Sequence, residues 1–314
     1  MENEHPNTLT RSDTPVRITG DFRYSLTVTD CTREYLVHVP AGWDGRRSLP
    51  LVISFHGGGG NAKLAAMATG WSDKSDSEGF FAVYPEGVRP HADRPATFLR
   101  NPPFWNVGSG IGYAEEVDID DDAFIAAMFD DLFSRLPIDR TRIYSTGFSN
   151  GASMAMRLAL RFQQHVAAVG AVAGHLWLRE PHSDLTQPIS LLYIIGDADP
   201  LNPMTGDTVI SPWGKPLYRP PVARTPETWA KWLGCSEGCR ILSNSSNPDN
   251  DAIRHVRYGP NSDGAEVEYY VIPGAGHVWP GGPDILLEKI AGKPTDRINA
   301  TDVMWEFFKR HARH

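Results

Sequence analysis

The chain has 314 residues, 41% of them hydrophobic, and a formal net charge of −8 at pH 7. It is long enough to bury a large core within a single α/β domain. A nucleic-acid partner is disfavoured because no Lys/Arg cluster supplies the positive surface that phosphates need, and no transmembrane span is expected because no apolar run approaches eighteen residues.

Strand patterns begin after a polar tail at residues 1–20, which lacks the basic and apolar regions of a signal peptide. The stretches FRYSLTV and EYLVHVP predict an opening pair of strands, because both are rich in β-branched and aromatic residues. Nearly continuous apolar runs then predict buried parallel strands: LPLVISFHG, GFFAVYPEG, RTRIYSTG, VAAVGAVAG, ISLLYIIGD and AEVEYYVIPG.

Helical patterns alternate with these strands. In residues 120–136, Phe124, Met128 and Leu132 fall on one face, and acidic residues stand at the start, where the helix dipole favours negative charge. The other predicted helices cover residues 149–162, 225–234 and 299–311. The alternation predicts an α/β fold in one domain, residues 21–314, with a mostly parallel central sheet and helices on both faces.

Two long segments rich in Pro and Gly, residues 86–117 and 200–222, interrupt this pattern. Irregular segments of such length are usually functional or disordered. Segment 200–222 is therefore a candidate substrate-facing loop. Aromatic residues of the two segments are candidates for a substrate-facing wall: Phe104, Trp105, Trp213 and Tyr218.

The stretch TGFSNG places Ser149 between Gly147 and Gly151, after a strand pattern and before a helical one. A nucleophile elbow has this context, because glycines permit its tight turn and the hydroxyl then stands above the carboxyl end of the sheet. The alternative is an ordinary turn, since a serine between two glycines is common in loops. The flanking strand and helix favour a nucleophile.

A catalytic serine needs a base and an orienting acid, and in this architecture both follow it along the chain, acid first. His277, in GAGHVWPGG, follows the last predicted strand and is the predicted base; the alternative is a loop histidine that only bonds a neighbour. Asp197 and Asp199, in GDADP, follow an earlier strand. We predict that Asp199 is the acid and that the other aspartate bonds its own turn.

An oxyanion hole is predicted at SFHGGGGN, residues 54–61, because glycines let backbone N–H groups approach a ligand closely. One donor is expected from this loop and the other from Asn150, the residue after the serine. The alternative is a phosphate-binding loop. It is disfavoured because the Lys-Ser/Thr pair of that motif is absent.

Together these motifs resemble the polyhydroxybutyrate depolymerase and feruloyl-esterase-like group of α/β-hydrolases. The resemblance covers about residues 20–310, and the histidine motif is its most particular part. The stretches that carry it are REYLVHVP, HGGGGN, YPEG, WN, VDIDDDAFI, IDRTRIYSTGFSNGASMA, GDADP, WAKWLGC, GAGHVWPGG and INATDVMWEFF.

This resemblance implies an α/β-hydrolase fold and a serine esterase with Ser149, Asp199 and His277 as its catalytic triad. It also implies that the backbone N–H groups of Gly58 and Asn150 form the oxyanion hole. Gly58 is implied because it follows the His-Gly pair at the position of the family's donor.

Trp105 and Trp279 are implied by the same comparison as cleft-lining residues, and the alternative for both is core packing. The sequence departs from the family in two places. Gly58 and Gly59 replace bulkier residues that often follow His-Gly, and Asp197 stands where many members have a small hydroxyl residue, so Asp197 stays an alternative acid. Because members are often secreted, an extracellular or periplasmic location is favoured, with a cytoplasmic one still open.

The cysteines Cys31, Cys235 and Cys239 are too few for a disulfide framework. Cys235 and Cys239 either close a small loop in an oxidising compartment or are two free thiols, and the sequence leaves both alternatives open. A zinc site is disfavoured because a second pair of ligands is missing.

The sequence therefore predicts hydrolysis of a small or oligomeric ester, of hydroxyalkanoate or feruloyl/cinnamoyl type, without a cofactor or metal. One alternative is a serine peptidase or other acyl hydrolase with the same triad. Another is a non-catalytic polymer- or polysaccharide-binding protein whose aromatic loops stack on sugars. No polymer-binding domain is predicted within the 314 residues, which favours soluble oligomers or small esters over an insoluble polymer. Oligomeric state is not predicted.

Overall fold

The computed structural model describes residues 19–29, 31–178, 185–235, 240–242 and 252–313. Its strands are β1 (Gly20–Val28), β2 (Cys31–Val39), β3 (Leu49–Phe55), β4 (Phe81–Pro85), β5 (Ile138–Phe148), β6 (Ala168–Val172), β7 (Ser190–Gly196), β8 (Asp207–Ile210), β9 (Pro216–Arg219), β10 (Arg240–Ile241), β11 (Arg254–Tyr258) and β12 (Val267–Ile272). Its helices are α1 (Ala62–Thr69), α2 (Trp71–Glu78), α3 (Tyr113–Glu116), α4 (Asp121–Arg135), α5 (Asn150–Arg161), α6 (Arg224–Trp232), α7 (Glu288–Ala291) and α8 (Ala300–Phe308).

The main sheet has the strand order β1-β2-β4-β3-β5-β6-β7-β12-β11-β10. The six neighbouring strands β4, β3, β5, β6, β7 and β12 pair in parallel. Strands β1 and β2 at one edge and β11 and β10 at the other pair antiparallel. The mostly parallel sheet and the opening pair of strands are confirmed. The carboxyl ends of the parallel strands meet at one edge, where open α/β sheets bind ligands.

Successive residues of the central strands enter two different cores. In β3, Leu51 and Ile53 pack with α4, α5 and α6, whereas Val52 between them packs with α1, α2 and α8 on the opposite face. Both faces of the sheet are thus covered by helices, as predicted. Burial on both faces also explains why these strands read as unbroken apolar runs.

Several elements of the fold differ from the sequence prediction. Segment 200–222, predicted as irregular, contains the antiparallel hairpin β8–β9. Helices α1, α2, α3 and α7 were not predicted. In α2 only Trp71 and Ser75 of eight residues are buried, so its apolar periodicity is weak, and α3 and α7 have only four residues each.

Three sequence predictions concern residues that the structure describes only in part. Residues 1–18 of the polar tail lie outside the described ranges, and so does Cys239, which leaves its pairing with Cys235 untested. In the described part of the chain, no helix has the length and apolar character needed to cross a bilayer.

Helix α4 offers a test of the core. Leu132 is fully buried, so Leu132→Ala should lower the free energy of unfolding by about 2–5 kcal/mol through lost burial and a residual cavity. Asp130→Ala, on the exposed face of the same helix, should change it by less than about 0.5 kcal/mol. Urea unfolding followed by circular dichroism measures both variants, and equal losses would contradict the assigned packing.

Candidate active site

Ser149 lies in the sharp turn between β5 and α5. Its backbone has φ 55° and ψ −120°, a region that residues other than glycine rarely adopt. The strain is held by close packing. A Cβ on Gly147 would lie 2.3 Å from the carbonyl oxygen of Gly151, and one on Gly151 would lie 2.2 Å from that of Phe55. Both glycines of the motif are therefore required by the approach of α5 to β5 and β3.

Asp199 and His277 form a buried hydrogen-bonded pair. His277 Nδ1 lies 2.7 Å from Asp199 Oδ2, and their side chains are 3% and 0% exposed. Asp199 Oδ1 accepts the N–H groups of Leu201 at 2.8 Å and Asn202 at 2.9 Å, which fixes the carboxylate. A carboxylate only accepts hydrogen bonds, so Nδ1 of His277 carries the proton and its Nε2 keeps a lone pair.

Asp197 has a different environment. Its side chain is exposed, and Oδ1 accepts the N–H of Gly274 at 2.7 Å, so it bonds a turn rather than a histidine. Of the two candidate acids, the structure brings Asp199 and not Asp197 to His277.

His56 shapes the glycine loop that follows β3. Its Nε2 accepts the N–H of Gly87 at 2.9 Å, so its Nδ1 carries the proton and donates to the carbonyl of Gly57 at 2.8 Å. Burial lowers the pKa of His56, which keeps the imidazole neutral and this tautomer fixed.

Two backbone N–H groups that line the cleft with Ser149 have no hydrogen-bond acceptor among the described residues. Those of Gly59 and Gly60 donate to the carbonyls of Pro103 and Gly57, but within the described ranges no acceptor bonds that of Gly58. Asn150 is the first residue of α5, where N–H groups lack a partner within the helix. Gly58 and Asn150 both line the cleft with Ser149.

Trp105 does not line this cleft, contrary to the expectation from family resemblance. Its side chain is completely buried, its indole N–H donates to the carbonyl of His56 at 3.0 Å, and its backbone N–H donates to Asn150 Oδ1 at 2.8 Å. Through these two bonds the residue connects the start of α5 to the glycine loop. Trp105 is therefore a core residue that supports the site from behind.

The cleft has two adjoining lobes that share the side chains of His277 and Phe148. The first lobe runs between α1 and segment 277–288. Trp279 lies in its wall with 6% of its surface exposed, and its indole N–H donates to Thr301 Oγ1 at 3.1 Å. Trp279 thus stands where a cleft-lining residue was expected.

The second lobe contains Ser149 and is bordered by hairpin β8–β9 of segment 200–222. Phe104 and Trp213 line it, whereas Tyr218 is 63% exposed and is not among the residues of its wall. Segment 200–222 therefore faces the same space as Ser149.

Aromatic packing explains the small residues at positions 58 and 59. A Cβ on Gly58 would lie 2.5 Å from Phe104 Cε1, and one on Gly59 would lie 2.6 Å from Phe98 Cδ2. These two rings flank Trp213 at centroid distances of 4.9 and 5.0 Å. Rings from other segments thus fill the space that side chains at positions 58 and 59 would take.

Comparison with known proteins gives the family. The family model described as esterase PHB depolymerase matches residues 33–202, more than half of the chain. The chain belongs to this family. A putative esterase, NocK, from Nocardia uniformis subsp. tsuyamanensis is 30% identical over 297 residues, 90% of this chain and 80% of that relative.

Two further relatives are longer proteins. Feruloyl esterase B from Piromyces equi is 23% identical over 248 residues, which span 78% of this chain but 42% of the relative. Poly(3-hydroxyalkanoate) depolymerase C from Paucimonas lemoignei is 28% identical over 137 residues, which span 44% of this chain and 30% of the relative. The chain thus spans less than half the length of either.

Solved structures give the fold. An acetyl xylan esterase from Aspergillus awamori superimposes with a TM-score of 0.55 at 15% identity, over 92% of this chain and 99% of the other. A dienelactone hydrolase-like promiscuous phosphotriesterase from metagenomic libraries superimposes with a TM-score of 0.58 at 15% identity, over 93% of this chain and 99% of the other. The fold is that of the α/β-hydrolases, as the resemblance implied. With the family, it identifies the chain as a carboxylic-ester hydrolase.

Sequence reasoning missed three polar residues of the second lobe: His175, Asn202 and Arg219. Asn202 Nδ2 donates to the carbonyl of Ala173 at 2.7 Å and to Asp199 Oδ2 at 3.4 Å, so it helps to hold the carboxylate that bonds His277. A signal existed for His175, which follows the glycine at the end of the β6 pattern. No motif in segment 200–222 marks Arg219.

His175 should make stability depend on pH. Burial, reinforced by the charge of Arg219, lowers the pKa of His175 from 6.5 to about 4. Between these values the unfolded chain binds the proton and the folded chain does not, so folding stability is lost as pH falls. His175 should contribute a loss of about 3 kcal/mol between pH 7 and pH 4.

Urea unfolding of the wild type and of His175→Gln at both pH values measures this contribution. The variant should lose about 3 kcal/mol less than the wild type on acidification, whereas His91→Gln, at an exposed histidine, should behave as the wild type. Identical losses in the wild type and His175→Gln would contradict the burial of a neutral imidazole.

Proposed function

We propose that the protein is a serine esterase that cleaves carboxylic esters through an acyl-enzyme on Ser149. The observation that carries this proposal is the buried Asp199–His277 hydrogen bond of 2.7 Å, in a cleft that His277 shares with a serine on a strained elbow. A serine alone is a weak nucleophile at neutral pH, and such a pair is what activates it.

In the proposed mechanism, Ser149 Oγ attacks the carbonyl carbon of the ester while His277 Nε2 takes the hydroxyl proton. The proton then passes to the leaving alcohol, and the acyl group stays on Ser149. A water molecule attacks this acyl-enzyme with His277 again as base, which releases the acid and restores the serine. Asp199 keeps the proton on Nδ1 and stabilises the imidazolium that forms in each step.

The N–H groups of Gly58 and Asn150 are proposed to hold the oxyanion of each tetrahedral intermediate. Two features support this role. No acceptor within the described ranges bonds the N–H of Gly58, and Asn150 begins a helix whose N-terminus favours negative charge. The Asn150 side chain bonds both the N–H and the carbonyl of Trp105, at 2.8 and 3.3 Å, which keeps its backbone in place.

The proposed substrates are small or oligomeric esters of hydroxyalkanoate or feruloyl/cinnamoyl type. Both classes are named among the relatives, in a poly(3-hydroxyalkanoate) depolymerase and in feruloyl esterases. The two lobes, which share His277, leave room for an acid and an alcohol portion. An extracellular or periplasmic location stays a prediction.

The two aspartates give a matched test of the mechanism on p-nitrophenyl esters. Asp199→Asn should lower kcat by roughly 10³–10⁴-fold, because the amide favours the wrong tautomer of His277. Asp197→Asn, the same chemical change two residues away, should stay within about threefold of the wild type, since Asp197 bonds a turn. Ser149→Ala fixes the uncatalysed baseline. Full activity in Asp199→Asn or in Ser149→Ala would refute the mechanism.

A further inference from the structure

Arg219, the last residue of β9, brings a positive charge into the second lobe, which Ser149 also lines. Its Nε donates to the carbonyl of Leu201 at 3.2 Å, and its guanidinium lies 5.9 Å from the ring centre of Trp177. Burial lowers the pKa of Arg219, and the charge of Asp199 opposes that shift. An arginine keeps its charge under such a shift.

No ion pair neutralises this guanidinium within the described ranges. Of the described residues that line the second lobe none is acidic, and Asp199 nearby already bonds His277. Two other arginines with buried or half-buried side chains are paired: Arg33 with Asp121 at 2.7 Å and Arg157 with Asp122 at 2.8 Å. Buried charges are normally paired. Among the described residues, Arg219 has no such partner, in contrast to these two arginines.

His175 is a second unsatisfied group in the same wall. Its side chain is 2% exposed, and neither ring nitrogen has a partner at normal hydrogen-bond geometry among the described residues, although the nearby Asn202 side chain opposes the lowering of the pKa of His175. Buried polar atoms are almost always bonded, and a neutral imidazole has one donor to offer. The N–H of His175 and the guanidinium of Arg219 would both be satisfied by the same kind of ligand, an anion that accepts hydrogen bonds.

We infer that the second lobe binds a carboxylate carried by the ester substrate, with Arg219 as its ionic partner and His175 as a hydrogen-bond donor. This inference rests on the proposed esterase function and narrows its substrate class. Oligomers of hydroxyacids end in a free carboxylate, whereas feruloyl esters of neutral sugars carry none. The lobe therefore selects hydroxyacid oligomers and other half-esters over cinnamoyl-type esters of neutral alcohols.

Matched ester pairs that differ only in charge test the inference. One pair places the carboxylate on the acid portion: the mono-p-nitrophenyl ester of glutaric acid and that of its neutral monoamide. The other places it on the alcohol portion: O-acetyl-3-hydroxybutyrate and O-acetyl-3-hydroxybutyramide. The measured quantity is the ratio of kcat/KM for the charged ester to that for the neutral ester.

The wild type should prefer the charged ester in at least one pair. In that pair, Arg219→Gln should lower the ratio by about 10- to 100-fold, and Arg219→Lys should lower it less because the charge is kept. Arg46→Gln removes an exposed arginine before β3, at the opposite end of the sheet, and should leave the ratio unchanged.

A wild-type ratio of one or below in both pairs would overturn the inference, and so would an unchanged ratio in Arg219→Gln. An equal loss on both esters of a pair would show a merely structural arginine and would also overturn it. If none of the four esters is hydrolysed, the proposed function is refuted, and the inference with it. Hydrolysis without charge preference refutes the inference alone.

Discussion

The strained backbone at Ser149 is the constraint on which the site depends. A residue with φ 55° is stable there only because the neighbouring backbones are too close to relax, with no room for a Cβ on Gly147 or Gly151. The same contact sets the start of α5 at the ends of β3 and β5. This contact therefore fixes the serine hydroxyl, the glycine loop and the helix N-terminus relative to one another. The proposed nucleophile and the proposed oxyanion donors are positioned by the same backbone packing.

Buried polar bonds hold the other segments around this turn. The Arg33–Asp121 pair is nearly unexposed, and Asp121 also accepts the N–H of Asn106 at 2.7 Å, which positions the adjoining Trp105. Trp105 then connects the start of α5 to the glycine loop. Breaking a buried pair is strongly destabilising, so this layer gives rigidity where the proposed chemistry needs it. In the second lobe, no described residue forms such an ion pair with Arg219.

The sequence predicted most of the fold and the residues that the structure brings together. Unbroken apolar runs identify strands buried on both faces, and the order serine, aspartate, histidine follows from strand ends that meet at one edge. Other features depend on tertiary contacts that no local pattern shows. Trp105 is buried where it bonds His56 and Asn150. Hairpin β8–β9 was not predicted because segment 200–222 is rich in Pro and Gly and shows no clear strand pattern.

Covalent labelling with a fluorophosphonate tests the central claim, that Ser149 is an activated nucleophile, most directly. Intact-mass spectrometry of the folded protein should show one phosphonyl adduct per chain, and peptide mapping should place it on Ser149. The adduct should be absent from Ser149→Ala and strongly reduced in His277→Ala, because the unassisted hydroxyl is a weak nucleophile. A folded wild type that takes up no adduct, or an adduct on another serine, would contradict the account.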